Sequence, residues 1–399
     1  QSKYINSLNN YESRILNFTN RNRVSMNYDV VIIGAGSMGM AAGYFLAKAG
    51  KSVLLLDAFD PPHSHASHHG ETRIIRYAYG EGEEYVPLAL RAKVLWEELE
   101  QQTGQSLFLK TGVLNIGPKE SSFIKMLITS AEKYHLPIEV LSSTQMNTRF
   151  PGLGIPEKYI GCFESTSGVL KCEVAIQAYR DLAISHGATI LSYHRVTDIQ
   201  SQSDRLAITA NNKIFHADKV VVSAGARSHN LLKMLSLNLP IQATRKTFAW
   251  FNAPESQYGQ KVFPAFSFTT DDGIYYGFPN IDGAGLKIGR HDLGVAQDPD
   301  EEMAPFDFDS DSHDLRALLT KYMPNVESFK MGKTCMYTMT PDENFIIDHH
   351  PDNHNIIIAS GFSGHGFKFS SVIGEIIRDI IIEKPLQYDI NLFSISRFT

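Results

Sequence analysis

One short stretch constrains this chain more than any other. Residues 29–33, Asp-Val-Val-Ile-Ile, run straight into Gly34-Ala-Gly36-Ser-Met-Gly39. A nearly continuous apolar run of this length suits a strand buried on both faces. From Met38 to Ala49 small and apolar residues recur at helical spacing, and Gly50 suits the left-handed stop after a helix. A second apolar run, 53–56, ends in Asp57. The spacing predicts a strand–helix–strand unit of about 30 residues. Each glycine has its own task. Gly34 permits the tight turn, Gly36 lets backbone approach a pyrophosphate, and Gly39 lets helix pack on strand. The helix N-terminus offers free N–H groups and partial positive charge to phosphates. Asp57 stands where a carboxylate accepts from ribose hydroxyls. The pattern predicts dinucleotide binding, and a glycine turn without a ligand is the alternative. Two features favour FAD over NAD. The unit starts just after Met26, which reads as a natural start, and Lys219-Val-Val-Val-Ser-Ala-Gly-Ala226 reads as a late strand and glycine turn returning to the same site.

The rest of the chain bounds the possibilities. Its 399 residues, 43% hydrophobic and 20% charged, suffice for more than one folding unit. A net charge of −6 argues against a nucleic-acid partner. The three cysteines, Cys162, Cys172 and Cys335, are odd in number and lack C-x-x-C spacing, as expected in a reducing cytoplasm. No apolar stretch reaches the ~18–20 residues of a membrane helix, so no membrane span is expected. His68-His69 near Glu71 has no second cluster at ligand spacing, so no metal site is expected. Residues 1–25 are polar and read as an added or disordered extension, a surface helix being the alternative. Strand-like runs fall at 107–116, 219–223, 247–251, 274–278, 286–288, 345–347 and 356–359, and helical patterns at 85–101 and 367–382. Residues 61–76, rich in His, Ser and Gly, read as a long loop entering a helix. Helical spacing there puts Thr72 and Arg76 on one face and displaces Arg73. No repeat and no Ser/Pro/Gly linker divides the chain, so two domains woven by several crossings are expected. The fold class is α/β (α+β).

Longer motifs are more specific. Asp57-Ala-Phe-Asp-Pro-Pro-His63, Ser67-His-His-Gly-Glu-Thr-Arg-Ile-Ile-Arg76 and Tyr79-Gly-Glu-Gly82 come first. Gly273-Ile-Tyr-Tyr-Gly-Phe-Pro279, Cys335-Met-Tyr-Thr338, Asp342-Glu-Asn-Phe-Ile-Ile-Asp348 and Gly361-Phe-Ser-Gly-His-Gly-Phe-Lys-Phe369 follow in order. Together they resemble the monomeric sarcosine oxidase and N-methyl-L-tryptophan oxidase family from about Met26 to the C-terminus. The resemblance implies a Rossmann-type FAD domain of the p-hydroxybenzoate-hydroxylase kind, interwoven with a mainly antiparallel β-sheet substrate domain. We expect 26–107, 171–242 and 341–399 in the first, and 108–170 and 243–340 in the second.

The resemblance also implies residue roles. Cys335 would carry FAD through a thioether to the 8α-methyl, although a free cysteine is more often buried and inert. Arg76 and Lys368 would hold a substrate carboxylate, Arg76 with its planar fork. Arg73, with His69 and Thr72, would lie near the flavin ring, and Val196 along the cofactor. Lys287, in Gly-Leu-Lys-Ile-Gly, would be the cation that stabilises developing superoxide. His291 and Tyr276 would stand on the substrate side, with Tyr337 a further candidate. Gly364, His365 and Gly366 would bring backbone and a helix N-terminus to the flavin edge where negative charge develops on reduction.

The expected function is oxidative demethylation of a small N-methyl amino acid with O2, by a monomer in the cytoplasm. Ser267 stands where sarcosine oxidase carries a bulkier methionine, so sarcosine and N-methyl-L-tryptophan both stay open as substrates. An amine dehydrogenase that passes electrons to a partner, or a flavoprotein that binds amines without turnover, are the other readings.

Overall fold

The protein is described here by a computed structural model, over residues 26–398. Strand β1 (Asn27–Ile33) leads through the glycine turn into helix α1 (Ser37–Lys48) and back to strand β2 (Val53–Leu56). The small residues of α1 are explained by its neighbours. A Cβ on Gly43 would come within 2.8 Å of Leu55, and one on Gly374 of the facing Ser370–Ile381 helix within 2.7 Å of Ala41. Two helices and a sheet can meet this closely only where side chains are missing. Gly50 ends the segment at φ +83°.

The first sheet has eight strands. In spatial order six of them are Val196–Ser201, Leu206–Ala210, Lys213–Val222, β1, β2 and Thr189–Leu191. The long Lys213–Val222 strand changes partner along its length. Its first half pairs antiparallel with Leu206–Ala210, and its last residues pair parallel with Asn353–Ser360. Apolar residues on one face of this sheet, such as Val30, Ile32 and Val221, pack under α1 and the Val86–Thr103, Cys172–Ser185 and Ser370–Ile381 helices. The alternate residues Val31, Ile33 and Val220 pack on the other face, as alternation in a strand requires.

The second sheet has nine strands and is mostly antiparallel. Toward one end, the Gln242–Phe251 strand is paired with Phe329–Met339 on one side and Leu286–Arg290 on the other. Ile274–Phe278 and Ala265–Thr269 continue it, and a parallel pairing joins Ala265–Thr269 to Val113–Pro118. A small third sheet of three strands lies between the large ones in sequence.

Two sequence expectations are corrected here. Residues 72–75 form strand β3 (Thr72–Ile75), not a helix, and pair antiparallel with Gly168–Lys171. The β-branched Thr72, Ile74 and Ile75 suit an extended chain, and the distant partner strand decides the matter. Thr72 and Arg76 therefore do not sit one helical turn apart. The run 107–116 is also not one strand. Phe108–Leu109 joins the third sheet and Val113–Pro118 the second. Gly112 separates them at φ +72°, where a Cβ would meet the Phe163 ring at 2.5 Å. The C-terminal helix opens with a tighter turn, Phe367–Phe369, before the α-helix from Ser370. Among the described residues no helix is long and apolar enough to cross a membrane.

Candidate functional site

The glycine turn is built differently at each glycine. Gly34 has φ +93°, and a Cβ there would lie 2.5 Å from the Ala224 Cα. A Cβ on Gly39 would lie 2.0 Å from the Gly34 carbonyl oxygen. Protein packing therefore demands both. At Gly36 the nearest atom to a Cβ would be the His68 Nδ1, 3.9 Å away, so this position faces open space. That space is a cavity of about 580 Å³ which starts at Gly34, Gly36 and Asp57 and ends at Arg76, Tyr276 and Lys368.

Asp57 closes β2 with both carboxylate oxygens engaged. Oδ2 accepts from the Ala35 N–H at 2.8 Å, and Oδ1 accepts from the Phe59 N–H at 2.9 Å. His63 Nε2 approaches Oδ1 at 3.1 Å. The other ring nitrogen of His63 and the Nε2 of His68 are buried without a partner in the structure, although both rings line the cavity. Orphaned imidazole nitrogens beside a glycine cradle fit a bound diphosphate. Val196, at the start of its strand, lines the same stretch.

At the far end two buried cations share one tyrosine. Arg76 stacks its guanidinium 4.5 Å from the Tyr79 ring centre, and Lys368 Nζ donates to the Tyr79 hydroxyl at 3.0 Å. The chain of bonds continues to His365, whose Nδ1 lies 2.9 Å from that hydroxyl and whose Nε2 donates to the Glu343 carbonyl at 2.9 Å. Burial brings His365 down to about 3, so its ring is neutral and both nitrogens serve packing. Burial, reinforced by Arg76, lowers Lys368 to about 7. Arg76 also bonds Glu81 at 2.5 Å. Burial alone would raise the Glu81 carboxyl, but the Arg76 guanidinium bonded to it holds it at about 2. Gly364 has φ +80° and Gly366 packs against Phe362, which brings this backbone turn to the cavity wall.

Between the two ends stand Tyr276, His291, Tyr337 and Ser267, all lining the cavity. Ser267 donates to the Asn115 side-chain carbonyl at 2.7 Å. Burial, with Lys246 next, lowers His291 to about 4. Arg73 also lines the cavity, and it turns back on the protein by donating to the carbonyls of Ser67, His69 and Thr72. Lys287 does not line the cavity. Its Nζ donates to the Gly70 carbonyl at 2.6 Å and to Thr72 Oγ1 at 3.1 Å, within 4.6–5.4 Å of the Phe248, Trp250 and Phe278 ring centres. Burial and Arg73 lower it to about 7. Gly39, His69, Thr72 and Cys335 likewise lie outside the lining residues. Cys335 is packed with Phe248, Trp250 and Tyr337. Burial raises its thiol, and Arg73, Lys287 and Lys246 oppose that rise.

Sequence reasoning missed several residues that shape this site. Glu81 stood in a quoted motif but had no role assigned. Glu164 accepts from the Tyr77 and Ala78 N–H groups at 2.9 and 3.0 Å, and so fixes the chain just after Arg76. Asn115 and Lys246 are polar residues at buried strand positions, which was the one available signal.

A glycine-cradled cleft on the parallel strands of a mixed sheet, continuing into a cationic pocket under a mostly antiparallel sheet, defines a dinucleotide-binding oxidoreductase. Residues 29–380 match the FAD dependent oxidoreductase family, and the chain belongs to it. It is 48% identical over 378 residues to monomeric sarcosine oxidase of Bacillus sp. (strain B-0618), covering 94% of this chain and 97% of that one. It is 42% identical over 376 residues to N-methyl-L-tryptophan oxidase of Salmonella enteritidis PT4 (strain P125109), covering 94% and 100%. The family resemblance read from the motifs is thereby borne out. The fold is similar to that of L-proline dehydrogenase from P. horikoshii, with a TM-score of 0.83 over 94% of this chain and 98% of that one. At 22% identity that likeness speaks for the fold alone. The protein binds FAD and is an FAD-dependent oxidoreductase.

Proposed function

We propose that this enzyme oxidatively demethylates a small N-methyl amino acid with O2. The products are the primary amino acid, formaldehyde and hydrogen peroxide, with one water consumed. The observation that carries this reading is the pair of buried cations, Arg76 and Lys368, around Tyr79 at the end of the cofactor cleft. Such a pair recognises a carboxylate, and the bond from Arg76 to Glu81 is one such contact already. The close relatives named for sarcosine and for N-methyl-L-tryptophan support the substrate class.

FAD, when bound, accepts a hydride equivalent from the N-methyl carbon and delivers the electrons to oxygen. The protein's residues do the rest. Arg76 and Lys368 fix the carboxylate and, by like charge, disfavour the ammonium form of the amine. His291, neutral beside the pocket, accepts a hydrogen bond from the amine. Tyr276 and Tyr337 wall the reacting carbon. Lys287, buried among three aromatic rings, would be the cation that stabilises charge on oxygen. Cys335 is proposed as the thioether anchor of the flavin, its deprotonation helped by Arg73, Lys287 and Lys246. Residues 26–107, 171–242 and 341–399 form the flavin unit in this reading, and 108–170 with 243–340 the substrate unit. The enzyme acts as a monomer in the cytoplasm, where Cys162 and Cys172 stay reduced. Ser267, small and hydrogen-bonded to Asn115, leaves room for a substrate side chain.

The test is a panel containing sarcosine and N-methyl-L-tryptophan, with peroxide and formaldehyde both assayed. Stoichiometric formation of both products with either substrate supports the reading. Flavin bleaching under nitrogen without peroxide in air would point to a dehydrogenase. Failure of every N-methyl amino acid to bleach the flavin would refute the proposal.

A further inference from the structure

One buried cation near the pocket has no role toward the substrate in the reaction described above, beyond its charge near Cys335. Lys246 lies on the Gln242–Phe251 strand, directly opposite Cys335, and is 4% exposed. It does not line the cavity. Its Nζ donates to the His291 carbonyl at 2.5 Å and to the Leu293 carbonyl, and stands 5.0 Å from the Tyr337 ring centre. The carboxylate between those two carbonyls, Asp292, is engaged elsewhere, by Arg290 and the Ile274 N–H. An ammonium removed from water and held by carbonyl dipoles is costly unless its geometry serves something.

The segment it grips is the turn that leaves the Leu286–Arg290 strand and carries His291 into the cavity. The His291 N–H is pinned from the other side, to the Ile274 carbonyl at 2.7 Å. Both peptide groups of His291 are therefore tied, one to the neighbouring strand and one to Lys246. A fixed positive charge bonded to that carbonyl also opposes a second positive charge on the imidazole of the same residue.

We propose that Lys246 is the positioning residue of His291, fixing the 291–293 turn through two carbonyls beside the substrate amine. The inference rests on the placement of His291 at the substrate proposed above. The other charged groups acting on His291 are Glu81, Lys368 and Arg76, and of these only Glu81 favours its protonation. Burial, with Arg290 adding to it, brings Lys246 down to about 8 against the opposing pull of Asp292, Cys335 and Glu343, so it carries its charge at neutral pH.

The experiment titrates His291 directly, in holoenzyme carrying 13C-labelled histidine, with the resonance assigned from a His291→Asn variant. Lys246→Met should raise the His291 pKa by ~1 unit and slow anaerobic flavin reduction by ~10–100-fold through loss of position. Lys246→Gln keeps an N–H donor without the charge. It should show the same pKa rise while retaining most of the reduction rate. An unchanged His291 titration in both variants overturns the proposal, and the Gln variant, which keeps the donor and most of the packing, separates lost charge from altered burial. If the Met variant fails to fold, the Gln titration decides alone. If wild-type enzyme oxidises no N-methyl amino acid, the substrate reading fails, and the titration still decides the role of Lys246.

Discussion

Alanine at Gly36 and alanine at Gly39 should fail in opposite ways, although both glycines belong to one turn. At Gly39 the new methyl would sit 2.0 Å from the Gly34 carbonyl oxygen and 2.8 Å from Ser223 Oγ. Neither is the free end of a flexible chain. The carbonyl belongs to the turn itself, and Ser223 Oγ already donates to it at 2.9 Å. Helix α1 must shift away from β1 or the turn must open. Overpacking of this kind costs ~1–3 kcal/mol, and losing the Ser223 bond adds about 1 kcal/mol. The Gly39→Ala protein should therefore be less stable by about 2–4 kcal/mol even without cofactor. At Gly36 the methyl would meet nothing closer than 3.9 Å, so the apoprotein should keep its stability. The methyl would instead occupy the space where backbone must approach the cofactor diphosphate. Flavin content should collapse. The assay is flavin absorbance per mole of purified protein, with urea unfolding of the flavin-free fraction of each variant. Normal flavin incorporation by Gly36→Ala would refute the placement of the diphosphate, and an unshifted urea midpoint for Gly39→Ala would refute the packing account.

Other outcomes follow from the same geometry. Acid precipitation should leave yellow colour in the pellet of wild type, Cys162→Ser and Cys172→Ser, and none in that of Cys335→Ser; a colourless wild-type pellet rules out the thioether. Arg76→Met should weaken a carboxylate inhibitor by ~2–5 kcal/mol with flavin retained. Lys368 is depressed to about 7, so its charge is present below that pH and lost above it. Inhibitor affinity should therefore fall as pH rises past about 7, as followed by flavin difference spectra, and Lys368→Met should flatten that dependence. Lys287→Met should slow reoxidation in air by at least ~100-fold while changing anaerobic reduction far less, as stopped-flow mixing separates.

The parts of the site written in local sequence were readable in advance. The glycine turn, the β1–α1–β2 unit and the Gly364-His-Gly366 turn depend on residues near one another, and backbone rules act over that range. Segment 72–76 was misread because its conformation is set by Gly168–Lys171, nearly a hundred residues away. The Arg76–Glu81 bond was within reach, being five residues long, but nothing in the chain says whether an acid and a base in a loop will meet. Glu164, Asn115 and Lys246 act across strands whose register the sequence does not print. Their contribution becomes visible only once the second sheet is assembled.

The strands of the two large sheets alternate along the chain. It passes from the first sheet to the second between residues 56 and 113, returns between 164 and 189, and repeats the journey between 222 and 242 and between 339 and 346. Four covalent straps therefore span the seam in which the cavity lies. A clamshell opening about one hinge would have to stretch all four. Entry by the movement of individual side chains is the expectation instead, and among those lining the cavity Phe123 and Glu81 also border a second, smaller hollow of about 230 Å³. The motion expected to admit substrate is the swing of a ring or a carboxylate, on the timescale of rotamers and short loops rather than of domains.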